Sequence, residues 1–202
     1  MTLWRGQQSL ILASKSSARQ SLLKQAGISF EAIPADIDER GIQQAKTSGS
    51  IDEVALHLAR EKALYVARRH PSRFVVGADQ MLALGDRLFN KPADRRSAAA
   101  QLRQLAGQTH QLHAALAVAK EGDILFEHIS VARMTMRALD DASIENYLDN
   151  AGDRVTTSVG AYQIEGLGIH LFQRIEGDHS TILGLPLLPL LKFFREQKLL
   201  TV

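Results

Sequence analysis

Acidic side chains at two places in this 202-residue chain could hold a metal ion and activate water. Asp36, Asp38 and Glu39 lie within four residues of one another, and Asp79 follows the apolar run Phe74–Ala78. Hard divalent cations prefer oxygen ligands of this kind, and ligand sites of α/β sheets gather at strand ends. The alternative is that both segments are polar turns, in which Asp is common.

Basic and hydroxyl side chains could bind an anion. Ser14–Arg19 lies between a predicted strand and a predicted helix, and a helix N terminus offers unpaired N–H groups and partial positive charge. Alternatively, Ser16 or Ser17 only caps the helix. Lys91, which precedes Pro92, is a suitable phosphate contact, although Lys-Pro pairs are commonly surface turns.

Another basic residue, Lys62, lies on the apolar face of a predicted helix. At about 100° per residue, it is about 20° from Ile51 around the helix and close to Val54, Ala55 and Leu58. Lysine is rarely buried without a partner. Either its stem reaches the surface or its ammonium group faces a charged partner at a cleft.

Strands and helices must position these residues, and the sequence predicts that they alternate. The predicted strands are Ser9–Ala13, Phe30–Ile33, Phe74–Ala78, a hairpin over Met81–Phe89 that turns at Gly85-Asp86, and a ribbon of Gln108–Ala119 and Ile124–Met136. The predicted helices are Ala18–Ala26, Ser50 to about Arg69, Ser97–Leu105, Asp141–Asn150 and Pro186–Leu200. This pattern, without repeats or low-complexity linkers, predicts one α/β domain over residues 1–202, with a mixed sheet flanked by helices.

Composition excludes several classes of protein. With 45% hydrophobic and 23% charged residues, the chain is neither disordered nor collagen-like. The absence of cysteine excludes disulfides, a thiolate nucleophile and zinc-thiolate or iron–sulfur sites. The net charge of +2 is too small for a nucleic-acid footprint over the whole surface. The N-terminal apolar run is far shorter than a signal-peptide core or a membrane span, so we expect a cytoplasmic protein.

Familiar nucleotide and hydrolase motifs are absent from the sequence. Ser14–Arg19 lacks the spaced glycines and the Gly-Lys-Ser/Thr ending of a Walker A loop. There is no Gly-x-Ser-x-Gly motif, and Gly166-Leu-Gly168 lacks the third glycine of a dinucleotide fingerprint. His110 and His113 are three residues apart on a predicted strand, so they point to opposite faces and cannot chelate one ion. We therefore exclude NAD chemistry and acyl-enzyme chemistry.

Short characteristic segments follow one another in a definite order along nearly the whole chain. They are Leu10-Ile-Leu-Ala-Ser14 with Ser16 and Arg19-x-x-Leu22-Leu23, Asp38-Glu39, Glu61-Lys62-Ala63, Gly77-Ala-Asp79-Gln80, Asn90-Lys91-Pro92, Leu105-Ala-Gly107-x-x-His110, Gly160-Ala-Tyr162, Glu165-Gly166-x-Gly168 and Gly184-Leu-Pro186-Leu187. In this order they resemble the Maf family of nucleoside triphosphate pyrophosphatases. No single segment is decisive, but their joint order is highly specific.

This resemblance implies an elongated α/β fold with two lobes and a deep central cleft. It implies hydrolysis of a nucleoside triphosphate to the monophosphate and pyrophosphate with a divalent metal, Mg²⁺ or Mn²⁺. We expect a nucleoside triphosphate as the partner, and neither nucleic acid nor a membrane. Members are often dimeric, and the apolar segment Leu187–Leu200 either helps to form a homodimer or only packs in the core.

The resemblance also implies roles for the acids. Asp79 matches the proposed proton acceptor of the family, and Glu39 matches a carboxylate that binds metal or orients water. Both are therefore expected metal ligands as well as catalytic residues. Asp79 would position or deprotonate the water that attacks the α-phosphorus.

For the phosphates, the resemblance implies a set of cations and hydroxyls. Lys62 and Lys91 match catalytic, phosphate-binding lysines, and the phosphate loop corresponds to Ser14, Ser16 and Arg19. This loop usually reads Ser-Pro-Arg-Arg, whereas the chain has Ser-Ser-Ala-Arg. The loss of one arginine should weaken phosphate binding, because a charge-assisted contact contributes roughly 1.5–3 kcal/mol. The usual Gly-Lys-Pro is Asn-Lys-Pro here, which keeps the lysine.

Recognition of the base is expected from Gln80, Gln163 and Glu165, which lie where branches of the family differ. Glutamine at position 80 is similar to the branch that resembles 7-methyl-GTP pyrophosphatases, whereas the segment Gly160-Ala-Tyr162 is similar to the dTTP/UTP branch. The sequence therefore leaves the base undecided. The weakened phosphate loop and the family's association with septum formation favour an alternative function, a nucleotide-binding regulator of cell division with little or no hydrolysis.

Overall fold

The computed structural model describes residues 3–45 and 49–202, and its strands form one open seven-stranded sheet. The strands are β1 (Leu10–Leu12), β2 (Phe30–Ala32), β3 (Val75–Leu84), β4 (Arg87–Phe89), β5 (Thr109–Lys120), β6 (Asp123–Met136) and β7 (Phe172–Glu176). Their order across the sheet is β2-β1-β3-β5-β6-β7, and β4 pairs with β3. β1 is parallel to β2 and β3, whereas β4 is antiparallel to β3 and β7 to β6. The predicted mixed sheet is confirmed.

Helices of different lengths flank this sheet. They are α1 (Ser17–Gln25), α2 (Glu39–Ala45), α3 (Ile51–Ala67), α4 (Arg95–Leu105), α5 (Asp141–Ala151), α6 (His179–Ile182) and α7 (Leu187–Glu196). Short 3-10 helices cover Gly152–Thr156, Val159–Ala161 and Leu167–Leu171. Within residues 3–45 and 49–202, no helix combines the length and the apolar character needed to span a bilayer.

Two predicted helix starts are confirmed by their caps. The Ser16 hydroxyl accepts a hydrogen bond from the Arg19 backbone N–H at 3.4 Å, so Ser16 caps α1. Ser50 caps α3 through a capping box: its hydroxyl accepts from the Glu53 backbone N–H, and the Glu53 carboxylate accepts from the Ser50 N–H. Both caps orient helices that carry candidate site residues.

Strand β3 is longer than predicted. The strand that we expected to stop at Ala78 continues to Leu84, and the predicted hairpin turn at Gly85, where φ is +58°, connects it to β4. Asp79 and Gln80 looked like a strand end because polar residues commonly interrupt buried strands. Both side chains find hydrogen-bond partners on neighbouring elements, so the strand can continue through them.

The terminal helix α7 is shorter than the predicted Pro186–Leu200. It ends at Glu196, and Lys198 adopts a left-handed conformation with φ +58°. The Leu199 N–H donates to the Phe194 carbonyl at 2.8 Å. This is the hydrogen bond of a Schellman motif, which ends a right-handed helix with one residue in the left-handed region. The last residues then run as extended chain, and Leu200 pairs with Trp4.

The chain divides into two compact units. The first unit comprises Met1–Gln80, His113–Ser130 and Asp178–Val202, and the second comprises Met81–Leu112 and Val131–Gly177. The first unit has an apolar core between the sheet, α1 and α7. This core includes Trp4, Leu10, Leu12, Leu22, Leu23, Val76, Leu116, Val118, Leu190, Phe193 and Phe194. Core packing is thus confirmed for Leu190, Phe193 and Phe194 of the terminal helix, whereas Leu188 is 64% exposed.

Candidate active site

Helix α3 lies directly against strand β3 at Gly77. A Cβ atom at Gly77 would come within 2.5 Å of the Ala63 backbone nitrogen and closer still to the Ala59 carbonyl oxygen. Only glycine fits such a contact. Residues two apart on a strand share a face, so Asp79 lies on the same side of β3 as Gly77. The close packing therefore brings Lys62, the neighbour of Ala63, next to Asp79.

Lys62 forms two ion pairs in this position. Its Nζ lies 2.7 Å from Asp79 Oδ1 and 3.0 Å from Glu39 Oε1. Lys62 and Asp79 are only 7% and 6% exposed, whereas the Glu39 side chain is 49% exposed. The interpretation of Lys62 as facing a charged partner is confirmed, and the interpretation as a stem reaching the surface is wrong. Lysine is almost never buried without a partner, and Lys62 has two.

Asp79 keeps one carboxylate oxygen available. Its Oδ2 is buried and has no hydrogen-bond partner within the described ranges, 3–45 and 49–202. Nearly all buried polar atoms are hydrogen-bonded, so an orphaned one calls for an explanation such as a catalytic role or a bound ion or water. The expectation that Asp79 lies at a strand end is wrong, because the residue lies inside β3. The contact between α3 and β3 positions it instead.

The three acids at the start of α2 make different contacts. Glu39 is the first residue of α2 and reaches Lys62. Asp38 Oδ1 accepts a hydrogen bond from the Gly41 N–H at 3.0 Å, so its carboxylate supports the local backbone. Asp36 is exposed. Asp38 therefore caps the start of α2, since the Ile42 N–H also donates to its carbonyl oxygen. Of the three acids Asp36, Asp38 and Glu39, it is Glu39 that joins the cluster with Asp79.

The predicted phosphate loop, Ser14–Arg19, connects β1 to α1. Ser14 is 7% exposed, and its Oγ accepts hydrogen bonds from the Ser16 N–H and from Arg19 Nη1, both at 3.2 Å. Because the hydroxyl accepts twice, its own proton is free to be donated. Lys15 is exposed at the same loop. The loop therefore presents a buried hydroxyl, a helix N terminus and cations together.

Arg19 is held by backbone carbonyls. Its Nε donates to Gly184 O at 2.7 Å and its Nη1 to Ala78 O at 3.0 Å. Burial lowers the pKa of the Arg19 guanidinium, while the negative charges of Asp79 and Glu39 oppose this shift. The contact of Arg19 with Gly184 was not predicted, although Gly184 belongs to the Gly-Leu-Pro-Leu segment of the resemblance.

Gln80 points to the face of β3 opposite Asp79. Its Nε2 donates to the carbonyl oxygens of Thr181 and Ile182, at 3.1 and 2.9 Å. A Cβ at Gly184, where φ is +84°, would lie 3.3 Å from Gln80 Oε1 and 3.2 Å from Arg19 Nη2. Gln80 and Arg19 thus connect the segment around Gly184 to β3 and α1 within the first unit.

The other candidate residues lie in the second unit. Lys91 is exposed and follows β4. Gln163 is half-buried, and its Nε2 donates to Thr157 Oγ1 at 2.9 Å, whereas Glu165 is exposed. Their predicted contacts with phosphate or base stay predictions.

The cluster of Glu39, Lys62 and Asp79 in the first unit supplies only some of the ligands that a divalent cation needs. Within residues 3–45 and 49–202, no group of three or more His, Asp or Glu side chains could hold a metal ion. Glu39 and Asp79 supply two carboxylates, and Asp79 Oδ2 is unoccupied by any hydrogen bond in those ranges. Mg²⁺ commonly binds through one or two carboxylates together with substrate phosphates. The two acids fit such a cation when a phosphate supplies further oxygens.

Comparison with known proteins identifies the family. The sequence model of the Maf family, described as Maf-like protein, matches residues 9–197. A nucleoside triphosphate pyrophosphatase from Bradyrhizobium diazoefficiens is 64% identical over 202 residues, which is 100% of both chains. A 7-methyl-GTP pyrophosphatase from Brucella abortus is 48% identical over 191 residues, 94% of this chain and 96% of that protein. Among solved structures, a nucleoside-triphosphatase, dITP/XTP pyrophosphatase, from Mycobacterium abscessus has a TM-score of 0.35 at 16% identity, covering 64% of this chain and 73% of that one. The family match over residues 9–197, together with the identities of 64% and 48% to the two relatives, shows that the chain belongs to the Maf family.

Proposed function

We propose that this protein hydrolyses a nucleoside triphosphate to the monophosphate and pyrophosphate with the help of Mg²⁺ or Mn²⁺. One observation carries the proposal: the buried carboxylate of Asp79 is fixed by Lys62 through Oδ1 and keeps Oδ2 available. The curated relatives are named for this activity at identities of 64% and 62% over the full chain.

In this mechanism Asp79 acts on the attacking water. The water oxygen forms a bond to the α-phosphorus, the bond to the bridging α–β oxygen breaks, and pyrophosphate leaves with the electron pair. Asp79 Oδ2 takes the proton of the water, because it is the carboxylate oxygen not used by Lys62. Lys62 holds the carboxylate in one orientation, since a buried ion pair leaves little freedom at either partner.

A divalent cation would be held by Glu39 and Asp79 and would neutralise charge on the phosphates. The carboxylate of Asp79 has about four lone-pair sites, enough for Lys62, water and a cation together. Glu39 is half-exposed, so one of its oxygens can turn to a cation while the other stays on Lys62.

The phosphate groups would be bound by the loop before α1. Ser14 can donate its hydroxyl proton, and Arg19 retains Nη2, which has no hydrogen-bond partner among the described residues. Ser16 contributes as the cap that orders the first turn of α1. We assign Lys91 to the phosphates, and Gln80, Gln163 and Glu165 to the base, as the family resemblance implies.

The test is pyrophosphate release from dTTP, UTP, 5-methyl-UTP, pseudouridine triphosphate and 7-methyl-GTP, which covers both branches of the family. Wild type is compared with Asp79→Asn, and the matched control is Asp36→Asn, a carboxylate that is exposed and outside the cluster. We expect Asp79→Asn to lower kcat by about 10²–10⁴-fold, the usual contribution of a general base. Asp36→Asn should match wild type.

Two results would contradict this proposal. Turnover of Asp79→Asn equal to wild type would remove Asp79 from the mechanism. Absence of turnover on the whole panel would remove the activity, and tight nucleotide binding without hydrolysis would then favour the nucleotide-binding regulator of cell division.

A further inference from the structure

Two buried polar side chains, His110 on β5 and Tyr162, face each other in the second unit. His110 Nε2 lies 2.6 Å from Tyr162 Oη, and the residues are 0% and 4% exposed. The ring of Phe172 packs against both, with centroids 5.9 and 4.8 Å away. Burial lowers the pKa of His110 to about 4 and raises the pKa of Tyr162, so both groups are neutral near pH 7. The mechanism proposed above uses neither of them.

This pair is costly for the fold, which suggests that it has a purpose beyond packing. His110 Nδ1 is buried and has no hydrogen-bond partner within residues 3–45 and 49–202. Apolar side chains of similar shape would avoid that desolvation. Buried polar pairs are retained in some proteins because they impose one conformation on the surrounding chain.

The backbone next to Tyr162 is in an unusual conformation. Gly160 and Ala161 both have positive φ, +78° and +62°. A residue that carries a side chain, such as Ala161, rarely adopts this backbone conformation. Tyr147 Oη donates to the Ala161 carbonyl at 3.1 Å. A Cβ at Gly160 would lie 2.6 Å from the side chains of Leu82 and Tyr162. Strained backbone of this kind persists where the surroundings hold it, and it is common at functional sites.

The turn Gln163–Gly168 follows directly after Tyr162 in the chain. The Gln163 carbonyl accepts hydrogen bonds from the N–H groups of Gly166 and Gly168, at 3.2 and 3.1 Å. A Cβ at Gly168 would overlap the Gln163 backbone, so the turn has one tight arrangement. Gln163 and the exposed Glu165, the residues expected to read the base, lie within it.

We propose that His110 is a positioning residue for base selection: its hydrogen bond to Tyr162 fixes the turn Gln163–Gly168 and so sets the substrate preference. The inference rests on the proposed function. His110 and Tyr162 touch no substrate in this scheme and act only through Gln163 and Glu165.

The experiment measures kcat and KM for UTP and 7-methyl-GTP in wild type and variants. Tyr162→Phe removes only the hydroxyl and keeps the ring against Phe172. We expect it to change the ratio of kcat/KM for the two nucleotides by about tenfold, mainly through KM, with kcat changed by less than about threefold. His110→Leu should have the same effect, and His110→Gln, which restores a polar nitrogen, should return the ratio to within about threefold of wild type.

A double-mutant cycle separates this role from a general loss of structure. Gln163→Ala should also change the ratio, and adding Tyr162→Phe to it should change the ratio by less than about twofold more, because both act on one contact. The control is Thr109→Val, which removes the exposed hydrogen bond to Thr135 one residue away from His110 and should leave the ratio as in wild type.

Several outcomes would overturn the inference. An unchanged ratio in Tyr162→Phe, or additive effects of Tyr162→Phe and Gln163→Ala, would refute the positioning role while the proposed function stands. No hydrolysis of any nucleotide by wild type would refute the proposed function, and this inference with it.

Discussion

Acidification should destabilise the protein through one histidine, His110. Burial lowers its pKa from 6.5 to about 4 in the folded chain. The unfolded chain therefore binds more protons than the folded chain between these values. The contribution of His110 to stability is complete above pH 6.5, is lost as the pH falls towards 4, and changes no further below that.

The size of the effect follows from the two pKa values. One pKa unit corresponds to about 1.4 kcal/mol, so the full loss is about 3 kcal/mol, of which about 2 kcal/mol is reached at pH 5. This loss is a substantial fraction of the free energy of unfolding of a typical domain, which is roughly 5–15 kcal/mol. Other groups titrate in the same range, so the measured quantity must be the difference between wild type and His110→Gln.

The assay is urea unfolding at pH 7 and pH 5, followed by circular dichroism and by the fluorescence of Trp4. Trp4 lies in the first unit and His110 in the second, so agreement of the two signals tests whether the units unfold together. Wild type should lose about 2 kcal/mol more than His110→Gln between the two pH values. The control is His170→Gln, which removes an exposed histidine of the second unit. Equal losses in wild type and His110→Gln would refute the reasoning.

Three further predictions concern the packing, the cation and the assembly. Gly77→Ala should destabilise the protein by about 1–3 kcal/mol and lower kcat, because the new Cβ pushes α3 and Lys62 away from Asp79; wild-type stability and kcat in this variant would contradict the contact described. EDTA should abolish pyrophosphate release and added Mg²⁺ should restore it, whereas Mg²⁺ without nucleotide should leave Tm unchanged because two carboxylates alone hold it weakly; full activity in EDTA would exclude a metal requirement. A homodimer formed through the terminal helix, one of the two alternatives for Leu187–Leu200, should give twice the mass of the 22.2 kDa chain in light scattering, and Leu188→Glu should return it to one chain; a monomeric wild type would refute this alternative.

The sequence predicted the fold best where local chemistry decides it. Ser50 and Glu53 form a capping box whose members are three residues apart, so the start of α3 is visible without any tertiary information. Gly85 likewise marks its hairpin. By contrast, no helix was predicted at Glu39, because the acids from Asp36 to Glu39 were interpreted either as metal ligands or as a polar turn. In the structure α2 begins at Glu39, and Asp38 caps it by accepting a hydrogen bond from the Gly41 N–H.

For the candidate site, the sequence showed which residues are unusual but not what they contact. Lys62 was recognised because helix geometry puts a charge in an apolar stripe. Its partner Asp79 is 17 positions away; the sequence marked Asp79 as an acid after an apolar strand but did not pair it with Lys62. The bond from Arg19 to Gly184 joins residues 165 positions apart, and no local rule reports such a contact. Long-range pairs of this kind depend on how the strands are ordered in the sheet.

The most direct test of the central claim, that water held by Asp79 attacks the α-phosphorus, is hydrolysis of UTP or 7-methyl-GTP in ¹⁸O-labelled water. Mass spectrometry then locates the label in the two products. The mechanism predicts one ¹⁸O atom in the nucleoside monophosphate and none in pyrophosphate. Label in the pyrophosphate, or release of inorganic phosphate with a nucleoside diphosphate, would contradict it.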